Sequence, residues 1–208
     1  NTADRYAPAD FFVVQKEEIM NEVEWVKQFA PAVETRLRSI DSQLSVLTGK
    51  KLPYAYEIRA YFDSGENKRD YMDYETDLLI IEQLLDKGWI PRVIVEAKCG
   101  GSITTHDAIT YSHKALTHRQ VHPYLRYGIL IGERGKFPLP GRLFRHGTQF
   151  DFMLSWVGAD ATEDEMSDFI EVLIKEVKAS RVMQEIIFES RKKNRQHYTV
   201  LHKELKLK

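Results

Sequence analysis

The segment RVIVEAK, residues 92–98, decides the fold of this chain and points to its chemistry. It is an apolar run that ends in two charged side chains, Glu96 and Lys98. Side chains alternate between the two faces of a β-strand, so Glu96 and Lys98 share one face and the valines before them share the other. A buried strand that ends in two charges needs partners for them. We therefore predict a strand over residues 90–98 with a polar site at its carboxyl end.

A second apolar segment, residues 76–81, carries a single acid, Asp77. A turn around Gly88 separates this segment from the strand that ends in Glu96. If the two strands pair as antiparallel neighbours, the start of one lies beside the end of the other. The sequence therefore predicts that Asp77 and Glu96 are neighbours.

Two carboxylates that converge at a strand end form a hard oxygen site of the kind that Mg²⁺ prefers. We predict that Asp77 and Glu96 are metal ligands and that the backbone carbonyl of Ala97 is a further one. The ammonium of Lys98 would orient or help deprotonate an attacking water and offset charge that develops on a phosphate. Hydrolysis of a phosphodiester needs this set of groups.

The aspartate, the spacer and then Glu96-Ala97-Lys98 resemble the PD-(D/E)xK signature of restriction-endonuclease-like nucleases. The resemblance covers roughly residues 54–131 and departs from the signature at Thr76, which stands where the signature has proline. It implies an endonuclease that cleaves phosphodiesters, mostly of double-stranded DNA, with Mg²⁺ as cofactor and Mn²⁺ as an expected substitute. It also implies that Asp77, Glu96 and Lys98 are catalytic.

Members of this family often add an acid from the first helix or the first strand. We take Glu57, on the polar face of the strand predicted over residues 54–62, as the additional catalytic acid, and Glu34 is the alternative. The helix after the motif commonly contributes one polar residue to such sites. The candidates in that helix are Tyr111, His113 and Lys114.

The whole pattern predicts one α/β nuclease domain over residues 1–208, with a mixed central β-sheet of about five strands flanked by helices, as in the restriction-endonuclease-like core. Its expected parts are N-terminal helices over residues 1–50, a catalytic sheet core over 54–157 and C-terminal helices over 162–208. Apolar residues at helical spacing indicate that the N-terminal helices reach Thr48, with Gly49 as the cap and an interruption at Pro31.

Further elements follow from the same patterns. The polar residues 63–70 are predicted to connect the first two strands. A helix over 105–120 is predicted to cross over to a strand at 125–131 that is parallel to the motif strand. A fifth strand is expected at 149–157, and Thr162 with Glu165 forms a capping box that begins the C-terminal helical region.

The loop between the fourth and fifth strands is rich in glycine, proline and arginine, and we predict that it contacts DNA. Residues 101–150 hold seven Lys and Arg against two acids. An ordinary long hairpin is the alternative. The basic residues 191–195 would follow phosphates or solvate a helix. The predicted DNA-binding residues of the loop are Arg134, Lys136, Arg142 and Arg145.

Composition sets wider bounds. Of the 208 residues, 43% are hydrophobic and 29% are charged, which is ordinary for a globular protein. With no apolar run near the ~18 residues of a membrane span and a single cysteine, we expect a cytoplasmic protein without a membrane partner. Two-fold symmetry is the simplest way to cut two strands, so a homodimer is compatible with this interpretation.

Several alternatives stay open at this stage. Lys98 could form an ion pair with Asp77 or with Glu96 that stabilises a sheet edge. The chain could be a non-catalytic DNA-binding module on the same fold, or a structure-specific repair or recombination nuclease. His118 and His122, with Cys99, His106 and His113 nearby in sequence, match no tight zinc pattern, and we interpret them as surface or DNA-backbone histidines.

Overall fold

The chain folds into a mixed five-stranded β-sheet flanked by helices, as a computed structural model that describes residues 21–100 and 102–188 shows. The strands lie in the sheet in chain order; β1, β2 and β3 are antiparallel, and β3, β4 and β5 are parallel. The predicted fold class is therefore confirmed. The elements are α1 Glu22–Ile40, β1 Leu44–Tyr61, β2 Asn67–Gln83, β3 Trp89–Cys99, α2 Thr105–Val121, β4 Arg126–Gly132, α3 Gly141–His146, β5 Phe152–Ser155 and α4 Glu163–Phe188.

Strand β3 lies at the centre of the sheet and has the predicted neighbours. It pairs antiparallel with β2, where Leu78 lies opposite Val95, and parallel with β4, where Glu96 lies opposite Ile129. Helix α2 makes the crossover from β3 to β4. The alternation predicted for the motif strand is also present. Val93, Val95 and Ala97 belong to the core that α1 and α4 cover, whereas Ile94 belongs to the core under α2.

The prediction that the N-terminal helices extend to Thr48 is wrong, because α1 ends at Ile40 and β1 begins at Leu44. Helix α1 is continuous from Glu22 to Ile40 and contains Pro31, and the residues before 21 lie outside the described part. Leu44 and Leu47, which continue the helical spacing, are in β1 and pack in different cores. Residues three apart in a strand point to opposite faces. A strand that is buried on both faces can therefore have apolar residues at the same spacing as a helix. Gly49 is a strand residue with φ +62°, and it does not cap a helix.

The connection predicted over residues 63–70 is also shorter. The turn lies between Phe62 and Glu66, whose backbone groups are hydrogen bonded, and β2 begins at Asn67. Residues 67–70, Asn-Lys-Arg-Asp, are exposed or half-buried, and they belong to β2 although all four are polar. The polar composition of residues 67–70 therefore reflects their exposure at the surface, and the prediction of a loop there is wrong.

Two expectations for the C-terminal half have different outcomes. The capping box is confirmed, since the Glu165 N–H donates to Thr162 Oγ1 at 3.2 Å and the Thr162 N–H donates to Glu165 Oε2 at 2.8 Å. The loop after β4 contains the short helix α3, which the sequence did not predict. Because β4 and β5 are parallel, this segment is a crossover and not a hairpin.

Among the described residues, no helix is both long and apolar enough to cross a membrane.

The end of β4 is packed directly against α1. A Cβ atom at Gly132 would lie 2.5 Å from the ring of Trp25, which is buried with Phe29 and Trp156 in an aromatic cluster. We predict that Gly132→Ala lowers the free energy of unfolding by about 1–3 kcal/mol, because the indole has no room to move. Urea denaturation measures this. Gly141→Ala is the matched control, since nothing lies within 4 Å of its Cβ position. Equal stability of the two variants would contradict the close contact.

Candidate active site

Asp77 lies where β2 leaves β3. The last backbone pair between the two strands is Leu78 with Val95, and beyond it the Asp77 side chain takes the place of a backbone partner. The Ala97 N–H donates to Asp77 Oδ2 at 2.8 Å. This bond holds the Asp77 carboxylate at the carboxyl end of β3, beside Glu96, as the sequence predicted.

Glu96 is almost completely buried, with 1% of its surface exposed. The Tyr127 hydroxyl of β4 donates to Glu96 Oε1, and Lys114 Nζ of α2 lies 3.2 Å from Oε2. Burial, followed by the negative charge of Asp77, raises the pKa of Glu96 to about 7, although Lys114 and Tyr127 oppose the change. A carboxyl group with such a pKa gains from any cation placed beside it.

Asp77 has the same kind of environment. Burial raises its pKa, and the hydrogen bond from Ala97 and the charge of Lys114 offset part of the change. The charge of Glu22 acts in the opposite sense and raises the pKa of Asp77. The charge of Glu22 therefore acts on Asp77, and the charge of Asp77 acts on Glu96.

Lys98 is bound by Glu22, the first residue of α1. Lys98 Nζ lies 2.6 Å from Glu22 Oε1. Burial disfavours the charged form of Lys98, but the hydrogen bond and the charge of Glu22 outweigh this and raise the pKa of Lys98. The Lys98 ammonium is therefore fixed at the end of β3 by its ion pair with Glu22. An ion pair of Lys98 with Asp77 or Glu96, considered above, is not what the structure shows.

Sequence reasoning did not identify Glu22. It placed the additional acid at Glu57 or Glu34, and the structure brings neither to Asp77. Glu57 is exposed and lies opposite Asp70, on the order of 20 Å along β2 from Asp77. Glu34 accepts a hydrogen bond from Ser45 Oγ at 2.6 Å and lies about 18 Å along α1 from Glu22. An acid in the first turn of a helix, after the Asn21 cap, is the signal that could have indicated Glu22, but helix capping explains it equally well.

Of the three candidates from α2, two reach the site. Lys114 contacts Glu96, and its ammonium lies 5.3 Å from the ring centre of Tyr111. Burial, followed by the charge of Glu96, raises the pKa of Tyr111. His113 is exposed on another side of the helix. Residues 111 and 114 share a helix face because they are three apart, whereas residue 113 does not.

The histidines of the zinc alternative do not form a cluster. His118 is buried between Tyr74 and Tyr127 and is hydrogen bonded through Nε2 to the Leu52 carbonyl at 3.2 Å. Burial lowers the pKa of His118 to about 4, so the ring is neutral. His118 is thus a core residue, and the prediction that it is a surface histidine is wrong. In the described ranges, no group of three or more His, Cys, Asp or Glu side chains could hold a metal ion.

The donor set at the end of β3 does fit Mg²⁺ in its chemistry. Mg²⁺ is usually held by one or two protein carboxylates, with water and substrate phosphate as its other ligands. Asp77 and Glu96 are such a pair. Burial raises the pKa of each, and the charge of Asp77 adds to the increase at Glu96. A cavity of about 220 Å³ lies against Asp77, between α1 and the β1–β2 pair, and is lined in part by Lys27 and Thr48.

The loop predicted to contact DNA has two parts. In the first, Lys136 is exposed, while Arg134 donates to the Pro138 carbonyl at 2.9 Å. In the second, Arg142 and Arg145 are exposed on α3, three residues apart. Helix α3 packs beside α2, the helix that provides Lys114, with Leu143 buried in the shared core. The basic run at residues 191–195 lies outside the described residues.

In comparisons with known proteins, the chain matches no protein-family model and no curated protein.

The raised pKa of Glu96 makes stability depend on pH. The folded protein keeps a proton on Glu96 up to about pH 7, whereas the unfolded chain releases it near pH 4.5. This contribution is complete below pH 4.5 and is lost as the pH rises to 7. We predict that the free energy of unfolding of the wild type, minus that of Glu96→Gln, falls by on the order of 3 kcal/mol between pH 4 and pH 8 in EDTA.

Urea denaturation at several pH values measures this difference. In an Asp77→Asn background, the change should move to lower pH, because the negative charge that helps to raise the pKa of Glu96 is removed. A difference that stays constant from pH 4 to pH 8 would show that Glu96 ionises normally in the folded protein.

Proposed function

We propose that this protein is a magnesium-dependent endonuclease of the restriction-endonuclease-like class that hydrolyses phosphodiester bonds of double-stranded DNA. The observation that carries the proposal is the hydrogen bond from Ala97 to Asp77, which brings Asp77 beside Glu96 and Lys98 at one strand end. An additional acid from the first helix, Glu22, and a polar residue from the helix after the motif, Lys114, complete the set that the resemblance leads one to expect.

In this proposal Asp77, Glu96 and the Ala97 carbonyl would hold Mg²⁺, and Mn²⁺ is an expected substitute. When bound there, the metal would supply Lewis-acid chemistry toward the phosphate and would make a bound water more acidic. The protein groups around the carboxylates fix their positions. The Ala97 N–H holds Asp77, while the Tyr127 hydroxyl and Lys114 hold the two oxygens of Glu96. Such preorganisation limits the movement needed at the moment of reaction.

Lys98 has the role of a charged group close to the scissile phosphate. Its raised pKa keeps it protonated at neutral pH, so it orients the attacking water and offsets negative charge as the phosphate is attacked. Glu22 positions Lys98 and is in turn fixed by the packing of α1, since Trp25 donates to the Ala159 carbonyl at 2.8 Å. A role in a restriction or defence system, and a homodimer that cuts both strands, extend this proposal.

The first test is cleavage of plasmid DNA in Mg²⁺ and in EDTA. We predict that the wild type cleaves in Mg²⁺ alone and that Asp77→Asn and Glu96→Gln abolish cleavage, because each removes a ligand charge while keeping the shape of the side chain. Glu34→Gln is the control, because this acid is remote from the site. Wild-type binding of DNA without cleavage in any divalent metal would instead favour the non-catalytic module. Cleavage by both site variants at the wild-type rate would show that the site is elsewhere.

Lys98 separates a catalytic role from a structural one. The Lys98–Glu22 pair is partly exposed, so we predict that Lys98→Ala changes the melting temperature in Mg²⁺ very little. The single-turnover cleavage rate should fall by about 10²–10⁴-fold, as expected for the loss of a charge-stabilising group. Lys178→Ala, an exposed lysine on α4, is the matched control. A Lys98→Ala protein that cleaves at the wild-type rate would exclude the catalytic role.

The exposed arginines of α3 are proposed to contact duplex DNA. We predict that Arg142→Ala with Arg145→Ala weakens the binding of a DNA duplex and reduces the salt dependence of the binding constant, without changing metal affinity. Fluorescence anisotropy at several salt concentrations measures both effects. Arg38→Ala, near the end of α1, is the control for the loss of an exposed arginine. Unchanged affinity and an unchanged salt slope would remove α3 from the interface.

A further inference from the structure

Strands β1 and β2 continue far beyond the rest of the sheet. β3 pairs with β2 between Leu78 and Gln83, whereas β2 begins at Asn67 and remains paired with β1 throughout. Residues 50–76 therefore form a two-stranded extension, here called the hairpin arm. From Thr76 to Asn67 the arm is about 30 Å long.

The arm starts at the candidate active site. Because β2 and β3 are antiparallel, the early part of β2 lies at the carboxyl end of β3, where Glu96 and Lys98 are. Asp77 is the residue at which the arm leaves the sheet. Any polymer bound at the carboxylates and continuing toward the tip of the hairpin would meet the arm.

A row of aromatic rings connects the site to the arm. Lys114, which contacts Glu96, lies 5.7 Å from the ring centre of Tyr74. Tyr74 packs edge-on against His118 of α2, and Tyr54 stacks on Tyr74 with ring centres 3.8 Å apart and an angle of 9°. The base of the arm is therefore fixed to α2 by packed rings.

Farther out, one face of the arm is aromatic and exposed. Between two β-bulges, Tyr56 lies opposite Tyr71 and Ile58 lies opposite Arg69. The exposed fractions of Tyr56, Ile58 and Tyr71 are 50%, 39% and 58%. The Arg69 guanidinium lies over the ring of Tyr56, 5.3 Å from its centre. We call these four residues the aromatic face.

The other face of the same segment is different. Glu57 lies opposite Asp70, and Asp70 forms an ion pair with Arg59. Both acids of this segment therefore lie on the face opposite to Arg69, and Arg59 balances one of them. On the aromatic face a polyanion meets the cation Arg69 and flat rings.

These features fit unpaired nucleic-acid bases. Exposed rings that hold bases by stacking, together with cations for the backbone, are the means by which proteins bind single strands. In an intact duplex, the faces of each base are already covered by its neighbours, so the tyrosines would have nothing to stack on. Tyrosine and arginine are also common in protein interfaces, so loss of self-association without loss of nucleic-acid binding is one of the outcomes of the test below.

We propose that the hairpin arm binds an unpaired stretch of the nucleic-acid strand through Tyr56, Tyr71 and Arg69. This inference rests on the proposed nuclease function and specifies its substrate as DNA that has a single-stranded segment next to the cleaved phosphate. Tyr71 is six residues from Asp77, a distance of about 20 Å along the strand. At about 3.4 Å for each stacked nucleotide, this corresponds to roughly six nucleotides.

The test is the binding of the whole chain, in EDTA, to two labelled probes: a 12-nucleotide single strand and a 12-base-pair duplex of the same sequence. Fluorescence anisotropy gives both dissociation constants without cleavage. We expect Tyr56→Ala with Tyr71→Ala to weaken binding of the single strand by about tenfold or more and to change duplex binding less than about twofold. Tyr56→Phe with Tyr71→Phe, which keeps both rings, should bind the single strand as the wild type does.

Ile40→Ala, an exposed apolar residue at the far end of α1, is the control for the loss of surface. Wild-type affinity of the double alanine variant for the single strand would overturn the proposal, as would an equal loss for both probes. A change in its sedimentation mass with no change in binding would also overturn it, because the face would then join two copies of the chain.

Failure of the nuclease proposal has a different signature. If binding of the single strand depends on the two tyrosines but no divalent metal supports cleavage, the arm is correct and the nuclease is wrong. If the wild type cleaves a duplex with an unpaired tail and the double alanine variant cleaves it equally well, the nuclease is correct and the arm is wrong.

Discussion

The hydrogen bond from the Ala97 N–H to the Asp77 carboxylate lies where the backbone ladder between β2 and β3 ends. A buried N–H group at the end of a ladder needs an acceptor, and a side chain provides one here. Because Asp77 supplies this acceptor, β2 is free to leave the sheet without leaving Ala97 unsatisfied. The same bond fixes one carboxylate next to the other. Strand geometry and site geometry therefore depend on a single contact.

The centre of the sheet could be predicted because its signals are local. An apolar run of period two that ends in Glu96 and Lys98 describes a buried strand with a polar end, and a short turn at Gly88 makes the preceding strand its antiparallel neighbour. The N-terminal region could not be predicted in the same way. Leu44 and Leu47 serve two different cores, and only the presence of layers on both sides of β1 distinguishes that arrangement from a helix.

The residues of the candidate site also differ in whether local sequence signals or long-range contacts bring them together. The proximity of Asp77 and Glu96 follows from the pairing of adjacent strands, and the sequence shows it. Glu22 is a partner of Lys98 because α1 docks against the sheet through Trp25, which packs on Gly132 of β4, more than a hundred positions away in the chain. No periodicity encodes such a contact. Lys114 could be predicted only in part. The sequence limits the choice to three residues of α2, and the buried side of the helix decides among them.

The length of the hairpin arm has a consequence for how this protein can vary. A strand turns every side chain to the other face when one residue is inserted or removed. Between Tyr71 and Asp77, a change of a single residue would therefore reverse the aromatic face relative to the carboxylates. The turn between Phe62 and Glu66 lies beyond both strands, so residues added there leave that relation unchanged. The reach of the arm and the chemistry at its base can thus evolve separately, provided that growth takes place at the tip.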